Sequence, residues 1–360
     1  MNISFILYLS VVEEEQKRRG IFHDNINFVV QHKLKTSRTF ELELNHLADL
    51  TPEEFKKTKK GYIPRKSPQR RIEDNSDEED TEALLRQLVE LDQHHHKQHW
   101  KRNIIKKRQV WKNDNSKHSS SYWFETLLNT KRKQSSSKTS TSFDWRSKNV
   151  VGSIKDQLYC GSCYAFAGSA VLESLYAIKN NANSVADLSP QQIVDCLVDG
   201  CDGGSFQTVI DYVGQQGGQQ ATLASYPYVG EQQSCTTHGL SYSHLGNIEY
   251  TGIPGGDEKS LATDLVSYGP IFIGVDSSSK YFQFYSSGIL STTDCSNLMD
   301  NLDHAVVVVG YGYNATVQQS YWIIKNSWGT SWGENGYIRL AKDAGNMCGV
   351  ATDAYYAQLT

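Results

Sequence analysis

Cys163, His304, Asn326 and Gln157 are the residues of this 360-residue chain whose types and surroundings could do covalent chemistry. Cys163 stands in Gln157-Leu158-Tyr159-Cys160-Gly161-Ser162-Cys163-Tyr164. A cysteine attacks as the thiolate, so something must hold that charge. The run from Tyr164 to Lys179 carries Ala165, Phe166, Ala170, Val171, Leu172, Leu175 and Ile178, and predicts a buried helix. Cys163 then lies at its N-terminal end. There, unpaired N–H groups and the helix dipole favour an anion by about 0.3–1 kcal/mol, and up to ~2 when partly buried. A nearby imidazolium would do the rest.

His304 heads Ala305-Val306-Val307-Val308-Val309-Gly310, a β-branched run that reads as a buried strand. Asn326 closes Tyr321-Trp322-Ile323-Ile324-Lys325, again at a strand end. These types allow acyl transfer. His304 takes or shares the thiol proton and later protonates a leaving amine. Asn326 fixes the ring's tautomer and angle through a hydrogen bond. Gln157 aims an amide N–H at a developing oxyanion beside the backbone N–H of Cys163, a donor worth ~3–4 kcal/mol of transition-state stabilisation. Blander readings exist for each: a Cys160/Cys163 redox pair, a structural His304, a turn asparagine, a surface glutamine. No βαβ pattern surrounds Cys160 and Cys163, which argues against the redox reading.

The elements that must position these groups fall in three zones. Residues 13–60 are charged but carry Phe22, Ile26, Val29 and Val30 at helical spacing, followed by Thr51-Pro52-Glu53-Glu54, an N-cap with proline at the first helical position. Residues 61–140 are rich in Lys, Arg, Ser, Gln and His and poor in apolar residues, and read as a charged low-complexity linker. Leu84, Leu85, Leu88 and Leu91 predict a short amphipathic helix inside it, and His94-His95-His96 with His99 is a metal candidate weighed against a solvated linker. Residues 141–360 are the globular part: helices over 164–179, 189–197 and about 204–216, then strands Ile271 to Val275, Ala305 to Tyr311, Tyr321 to Lys325 and Gly336 to Leu340. Helices first and strands later predict α+β, with two lobes and a groove between them.

Charge divides along the same line. Residues 141–360 hold 9 Lys and Arg against 20 Asp and Glu, whereas residues 1–140 hold 27 against 20. The front piece should therefore attract the back piece at neutral pH, and the acidic half argues against nucleic acid as partner. No stretch approaches the ~20 apolar residues of a membrane helix. Residues 1–12 are a candidate signal segment, with a buried helix start as the alternative. All seven cysteines lie beyond position 159, and in an oxidising compartment an odd count leaves one thiol unpaired.

Cys160-Gly161-Ser162-Cys163-Tyr164, Asp303-His304, Asn326-Ser327-Trp328-Gly329 and Gly333-Glu334-Asn335-Gly336-Tyr337, in that order, resemble the papain-like cysteine proteases, the cathepsin L-like branch in particular. The resemblance covers residues 141–360 from Ser142-Phe143-Asp144-Trp145-Arg146 on, with Tyr164 where Trp is commoner. It implies a papain-like fold with a helical left lobe and a β-barrel-like right lobe. It implies a Cys-His-Asn endopeptidase working through a thioester, monomeric and lysosomal or secreted, without cofactor or metal. Its partners would be polypeptide substrates and cystatin-type inhibitors. The alternative is a catalytically silent papain-fold binding or matrix protein; such relatives typically lose the nucleophile that this chain keeps.

Carried over residue by residue, the resemblance pairs Cys160 with Cys201, Cys196 with Cys235 and Cys295 with Cys348, which leaves Cys163 free. It places Gly203 and Gly204 along the substrate backbone. Ser205, Phe206, Gly274, Leu302 and Asp353 fall in the main specificity pocket, with Asp303 and Trp328 as further substrate-binding residues. Gly274 leaves that pocket roomy and Asp353 lies at its floor, so apolar or aromatic P2 residues are expected, with Arg tolerated. The absence of a two-histidine occluding loop favours endopeptidase over dipeptidase. Residues 13–60 resemble the branch's inhibitory propeptide: Glu14, Arg18, Phe22, Asn25 and Val29 follow one of its motifs, with Lys33 in place of the last Asn. Asn45, Leu47 and Asp49 follow the second, with Glu43 in place of Gly. This implies a zymogen in which acid loosens the prosegment by protonating carboxylates such as Asp49.

Overall fold

The computed structural model describes residues 3–64, 142–182 and 184–360, with side chains from Val12 on. The Leu84–Leu91 helix, the His94–His99 cluster and most of the 61–140 linker lie outside the described residues.

The prosegment opens with helix α1 (Ile3–Lys33), then a short strand β1 (Phe40–Leu42) and helix α2 (Pro52–Lys59). The buried stripe of α1 is Asn25, Val29 and His32, at i, i+4, i+7 spacing. Val30 lies off this line and is exposed; Phe22, three and seven residues before Asn25 and Val29, shares their face and yet is 42% exposed. Thr51 caps α2 as its sequence predicts: its hydroxyl accepts from the Glu54 amide at 3.1 Å while the Glu54 carboxylate accepts from the Thr51 amide at 2.9 Å.

Residues 142–360 build the α+β body. Strand β2 (Phe143–Asp144) leads to the central helix α3 (Cys163–Lys179), which starts one residue earlier than predicted, at Cys163 itself. Helices α4 (Pro190–Cys196) and α5 (Phe206–Gln215) and the strand pair β3 (Gln219–Ala221) and β4 (Tyr242–His244) complete the helical lobe. The rest is sheet: β5 (Ile248–Gly252), helix α6 (Glu258–Tyr268), β6 (Ile271–Val275), one helical turn α7 (Lys280–Gln283), β7 (Tyr285–Leu290), β8 (His304–Asn314), β9 (Gln319–Lys325), β10 (Tyr337–Ala341) and β11 (Asp353–Leu359). Its strand order is β1-β7-β10-β9-β8-β6-β11-β5, with β2 added to β8.

This order corrects the barrel-like expectation for the second lobe. Among the described residues the sheet is open, running from β1 at one edge to β5 at the other. The prosegment closes one edge by adding β1 antiparallel to β7, so that edge's backbone groups are paired from a different part of the chain.

Strand β8 decides how the two lobes meet. Its side chains alternate: Val306 and Val308 join the core under Trp322, Ile324 and Trp332, whereas Ala305, Val307 and Val309 pack on α3 with Val171 and Leu172. One strand is thus buried on both faces, which is why its sequence is a continuous valine run. Disulfides Cys160–Cys201 and Cys196–Cys235 tie the helical lobe and Cys295–Cys348 the sheet lobe, while Cys163 is free.

Candidate active site

Cys163 is the first residue of α3 and His304 the first of β8, and the packing of α3 on β8 brings them together across the lobe boundary. The Ala305 amide donates to Cys163 Sγ at 3.3 Å, which sets the sulfur against the peptide next to the imidazole. Asn326 Oδ1 accepts from His304 Nε2 at 2.7 Å and from the Ser327 amide at 2.8 Å. Because that oxygen already takes an amide proton, it is the acceptor, and Nε2 must carry the ring proton. Nδ1 is left as the basic nitrogen, buried and without a hydrogen-bond partner among the described residues. Trp328 stacks on the His304 ring with centroids 4.6 Å apart, Phe282 meets both rings edge-on, and water is kept from the His304–Asn326 bond.

Gln157 is fully buried beside this pair. Its Oε1 accepts from Ser327 Oγ at 2.8 Å and its main-chain amide donates to the Ser327 carbonyl at 2.9 Å, so the glutamine and Asn326 are mounted on one frame. Ser327 and Tyr228 were not singled out from sequence; Tyr228 donates to the Gln157 carbonyl at 2.8 Å and bonds Ser162 Oγ at 2.7 Å. Neither carries a signal of its own in the sequence beyond its place next to Asn326 or near Cys235.

The prosegment lies through the site. Gln157 Nε2 donates to the Cys160 carbonyl at 3.0 Å and to Thr58 O of the prosegment at 3.3 Å, so its amide is already engaged. The chain then passes Lys59, whose carbonyl accepts from Trp328 Nε1 at 3.1 Å, and Lys60, whose ammonium meets Asp303 Oδ2 at 2.5 Å. The Gly61 and Tyr62 amides both donate to the Asp303 carbonyl at 3.1 Å, and Gly204 pairs with Gly61 and Ile63 at 2.9 Å each. A Cβ on Gly61 would come within 1.9 Å of the Gly161 carbonyl, so only glycine passes there. Groove-bound chain thus continues to Ile63, past the compositional boundary at residue 60.

Tyr62 fills a pocket. Its ring lies 5.7 Å from Phe272 in a wall continued by Phe206, Tyr355 and Leu302, and its hydroxyl donates to Asp353 Oδ2. A Cβ on Gly274 would stand 2.2 Å from the Tyr62 ring, so the missing side chain is what leaves room for it. Gly203, Gly204, Gly274, Leu302, Asp303, Trp328 and Asp353 therefore line the path of this segment. Ser205 differs: its hydroxyl accepts from the Thr208 amide at 3.3 Å and caps α5.

Burial decides the charge state. It pushes the Cys163 thiol up to about 12, helped by nearby Asp303, and pulls His304 down to about 3, with Lys60 and Lys59 adding to the effect. The thiolate expected from the sequence is therefore not the form favoured beneath the prosegment. Loss of hydration at the buried sulfur and ring outweighs the helix-terminus contribution.

Asp49 and Glu54 both meet Arg18, through different groups. Asp49 contributes its main-chain carbonyl, which accepts from Arg18 Nη1 at 2.9 Å. The carboxylate that clamps the prosegment is Glu54, in a two-pronged pair with Arg18 at 2.6 Å; that pair, with the Thr51 amide, holds Glu54 at about 2.

The papain family cysteine protease model matches residues 139–358, and the cathepsin propeptide inhibitor domain matches residues 8–55. The chain is 32% identical to digestive cysteine proteinase 1 of Homarus americanus, covering 96% of this chain and 89% of that protein. It is 33% identical to mouse cathepsin K, covering 96% and 88%. Among solved structures, digestive procathepsin L2 proteinase of Tenebrio molitor superposes with a TM-score of 0.70 at 28% identity, covering 96% of this chain and 94% of that one. A recombinant stem bromelain precursor gives 0.69 at 29% identity, covering 97% and 93%. The chain belongs to the papain family of cysteine proteases and carries a cathepsin-type inhibitory propeptide.

Proposed function

We propose that this cysteine protease is an endopeptidase made as a zymogen, with Cys163, His304 and Asn326 as its catalytic triad. The observation that carries the reading is the buried His304 Nε2–Asn326 Oδ1 bond of 2.7 Å, which leaves Nδ1 as the base on a ring whose neighbouring amide touches the Cys163 sulfur. Once the prosegment leaves, water and substrate replace Lys59 to Tyr62, and the proton passes from Sγ to Nδ1. The sulfur attacks the scissile carbonyl, and the oxyanion takes hydrogen bonds from Gln157 Nε2 and the Cys163 amide, the former now released from Thr58. His304 gives its proton to the departing amine and a thioester remains. Water, deprotonated by Nδ1, then attacks the thioester, and the acid product leaves as the thiol is restored.

Tyr62 suggests what the specificity pocket takes. An aromatic P2 side chain would occupy the Phe272, Phe206 and Leu302 wall, and Asp353 would accept from a phenol or a guanidinium. Polypeptides are the substrates, cystatin-type proteins are expected inhibitors, and the working form is a monomer in a lysosomal or secreted setting. No helix among the described residues is long and apolar enough to cross a membrane. The silent binding-protein alternative has no support, since the nucleophile and its partners are all present.

The test is labelling of the matured protein with an epoxide or vinyl-sulfone probe. The expected result is one adduct at Cys163, lost in Cys163→Ala together with peptidase activity. Labelling that persists in Cys163→Ala would remove the assignment.

A further inference from the structure

Lys59 poses a question that inhibition alone does not answer. Its side chain is only 2% exposed, and burial pulls its ammonium below the ordinary lysine range. Something must compensate it. Asp156 Oδ1 lies 3.5 Å from its Nζ, and the Tyr159 ring lies under it at 5.6 Å from the centroid. Both groups belong to the loop that carries Gln157. Asp156 is held rigidly, since its Oδ1 also accepts from the Leu158 amide at 2.9 Å and its residue bridges Trp328. Tyr159 is 70% exposed and contributes its open face.

The position of this pair along the groove gives it meaning. The segment runs from Thr58 at Gln157, past Lys59 at Trp328, to Tyr62 in the Asp353 pocket. If the Asp353 pocket takes the P2 side chain, the Gln157 and Trp328 end holds the leaving-group half of a substrate. Lys59 therefore occupies ground on the far side of the sulfur from Tyr62.

We infer that Asp156 and Tyr159 form a subsite for a basic side chain on the leaving-group side of the scissile bond, which Lys59 fills in the precursor. This rests on the endopeptidase reading above. A carboxylate on one side and an aromatic face on the other suit an ammonium or guanidinium and repel an acid. The site is half-open, so its effect is one of preference: about 5–10-fold in kcat/KM for one cation–π contact plus one solvent-screened ion pair. Neither residue touches the reacting atoms; they act as specificity determinants.

The experiment uses the matured enzyme and internally quenched peptides with one P2 residue, carrying Lys, norleucine or Glu at each of the first two leaving-group positions. At one of those positions Lys should be cleaved about 5–10-fold faster than norleucine and Glu slowest, with the Lys advantage shrinking in high salt. Asp156→Asn, which keeps an oxygen for the Leu158 amide, should erase the Lys advantage while leaving the norleucine peptide unchanged. Tyr159→Leu should reduce it and Tyr159→Phe should retain it. Equal cleavage of the Lys and norleucine peptides at both positions, or a Lys advantage that survives Asp156→Asn, overturns the inference while the endopeptidase reading stands. Failure to cleave any of the peptides, without Cys163 labelling, would instead remove the endopeptidase reading, and this inference with it.

Discussion

Tyr62 should be the strongest single anchor of the prosegment in the groove, and the geometry sets how strong. The residue is 5% exposed, its ring is enclosed by Phe272 and its neighbours, and its hydroxyl is the donor to an Asp353 carboxylate that is itself 5% exposed. Tyr62→Phe keeps the ring but leaves a buried carboxylate without that proton. Losing one partner of a hydrogen bond to a charged group costs about 1.5–3 kcal/mol. At 1.4 kcal/mol per decade this is about 10–150-fold more open precursor. Tyr62→Ala also empties the pocket, and large aromatic-to-alanine changes cost about 3–5 kcal/mol. The assay is the rate at which an epoxide probe labels Cys163 in full-length precursor at neutral pH, resolved by size so that processed enzyme is not counted. The order should be wild type, then Tyr62→Phe, then Tyr62→Ala. In an Asp353→Ala background, Tyr62→Phe should cost almost nothing, since the contact it removes is already gone. Wild-type labelling in Tyr62→Phe, with faster labelling in Tyr62→Ala, would show that the ring alone anchors the segment and that the hydroxyl–carboxylate contact contributes nothing.

Gln157→Ala in the matured enzyme should lower kcat by about 100–1,000-fold with little change in KM, measured on a fluorogenic peptide; a change confined to KM would mean the amide binds substrate without serving the oxyanion. With Arg at P2, Asp353→Ala should lower kcat/KM, whereas with Phe at P2 it should not; equal ratios before and after the change remove the pocket assignment. Glu54 has its pKa lowered to about 2 mainly by Arg18, so its contribution to the seated prosegment is complete above the ordinary carboxylate value and is lost as pH falls through about 2. Glu54→Gln, which removes about 1 kcal/mol after solvent screening, should therefore speed self-processing at pH 6 and flatten its acid dependence below pH 4.5; an unchanged pH profile would place the switch elsewhere. The thiolate's ultraviolet absorbance, taken as the difference from Cys163→Ala, should be absent in the precursor at pH 7 and present after maturation, since burial by the prosegment pushes the thiol up to about 12; a thiolate band of equal strength in both would refute the neutral pair.

The helices of the first lobe, the order of a helical lobe before a sheet lobe, and the residues around Cys163 were legible because each has a local physical signature. Val306 to Val309 announce a strand buried on both faces, and Thr51-Pro52-Glu53-Glu54 announces a cap whose two hydrogen bonds are both present. Strands β5, β7 and β11 and helix α6 were not predicted, because their partners are distant and their own patterns are short. β11, for instance, pairs with β6 about eighty residues away and with β5 about a hundred residues away. Phe22 shares a helix face with Asn25 and Val29 and yet is 42% exposed: spacing names a face, and only tertiary contact decides how far along the helix that face is covered. Asn25 is polar, but it earns burial by donating to the Ala48 carbonyl at 2.8 Å and accepting from Lys280 at 2.9 Å.

The charge of the Cys163–His304 pair was the least legible property, and the reason is general. A helix terminus and a neighbouring imidazole are visible in the sequence, but hydration is not. It is set by everything packed round the pair, and the segment Lys59 to Tyr62 that passes through the site lies about a hundred residues from Cys163 and over two hundred from His304. The two shifts oppose each other in proton count: the covered pair holds its proton on sulfur, and the open pair holds it on the ring. Between the pKa values of the open pair, release of the prosegment therefore moves a proton within the site and takes up none from solvent. Over that range acid cannot drive release through Cys163 and His304, however far their individual values are displaced. Any sensitivity to mild acid must come from groups that change their own proton number. The Arg18–Glu54 clamp is one such group only at the acid end of that range: its carboxylate takes up a proton on release below the ordinary carboxylate value and not above it, and its titration leaves Cys163 and His304 untouched.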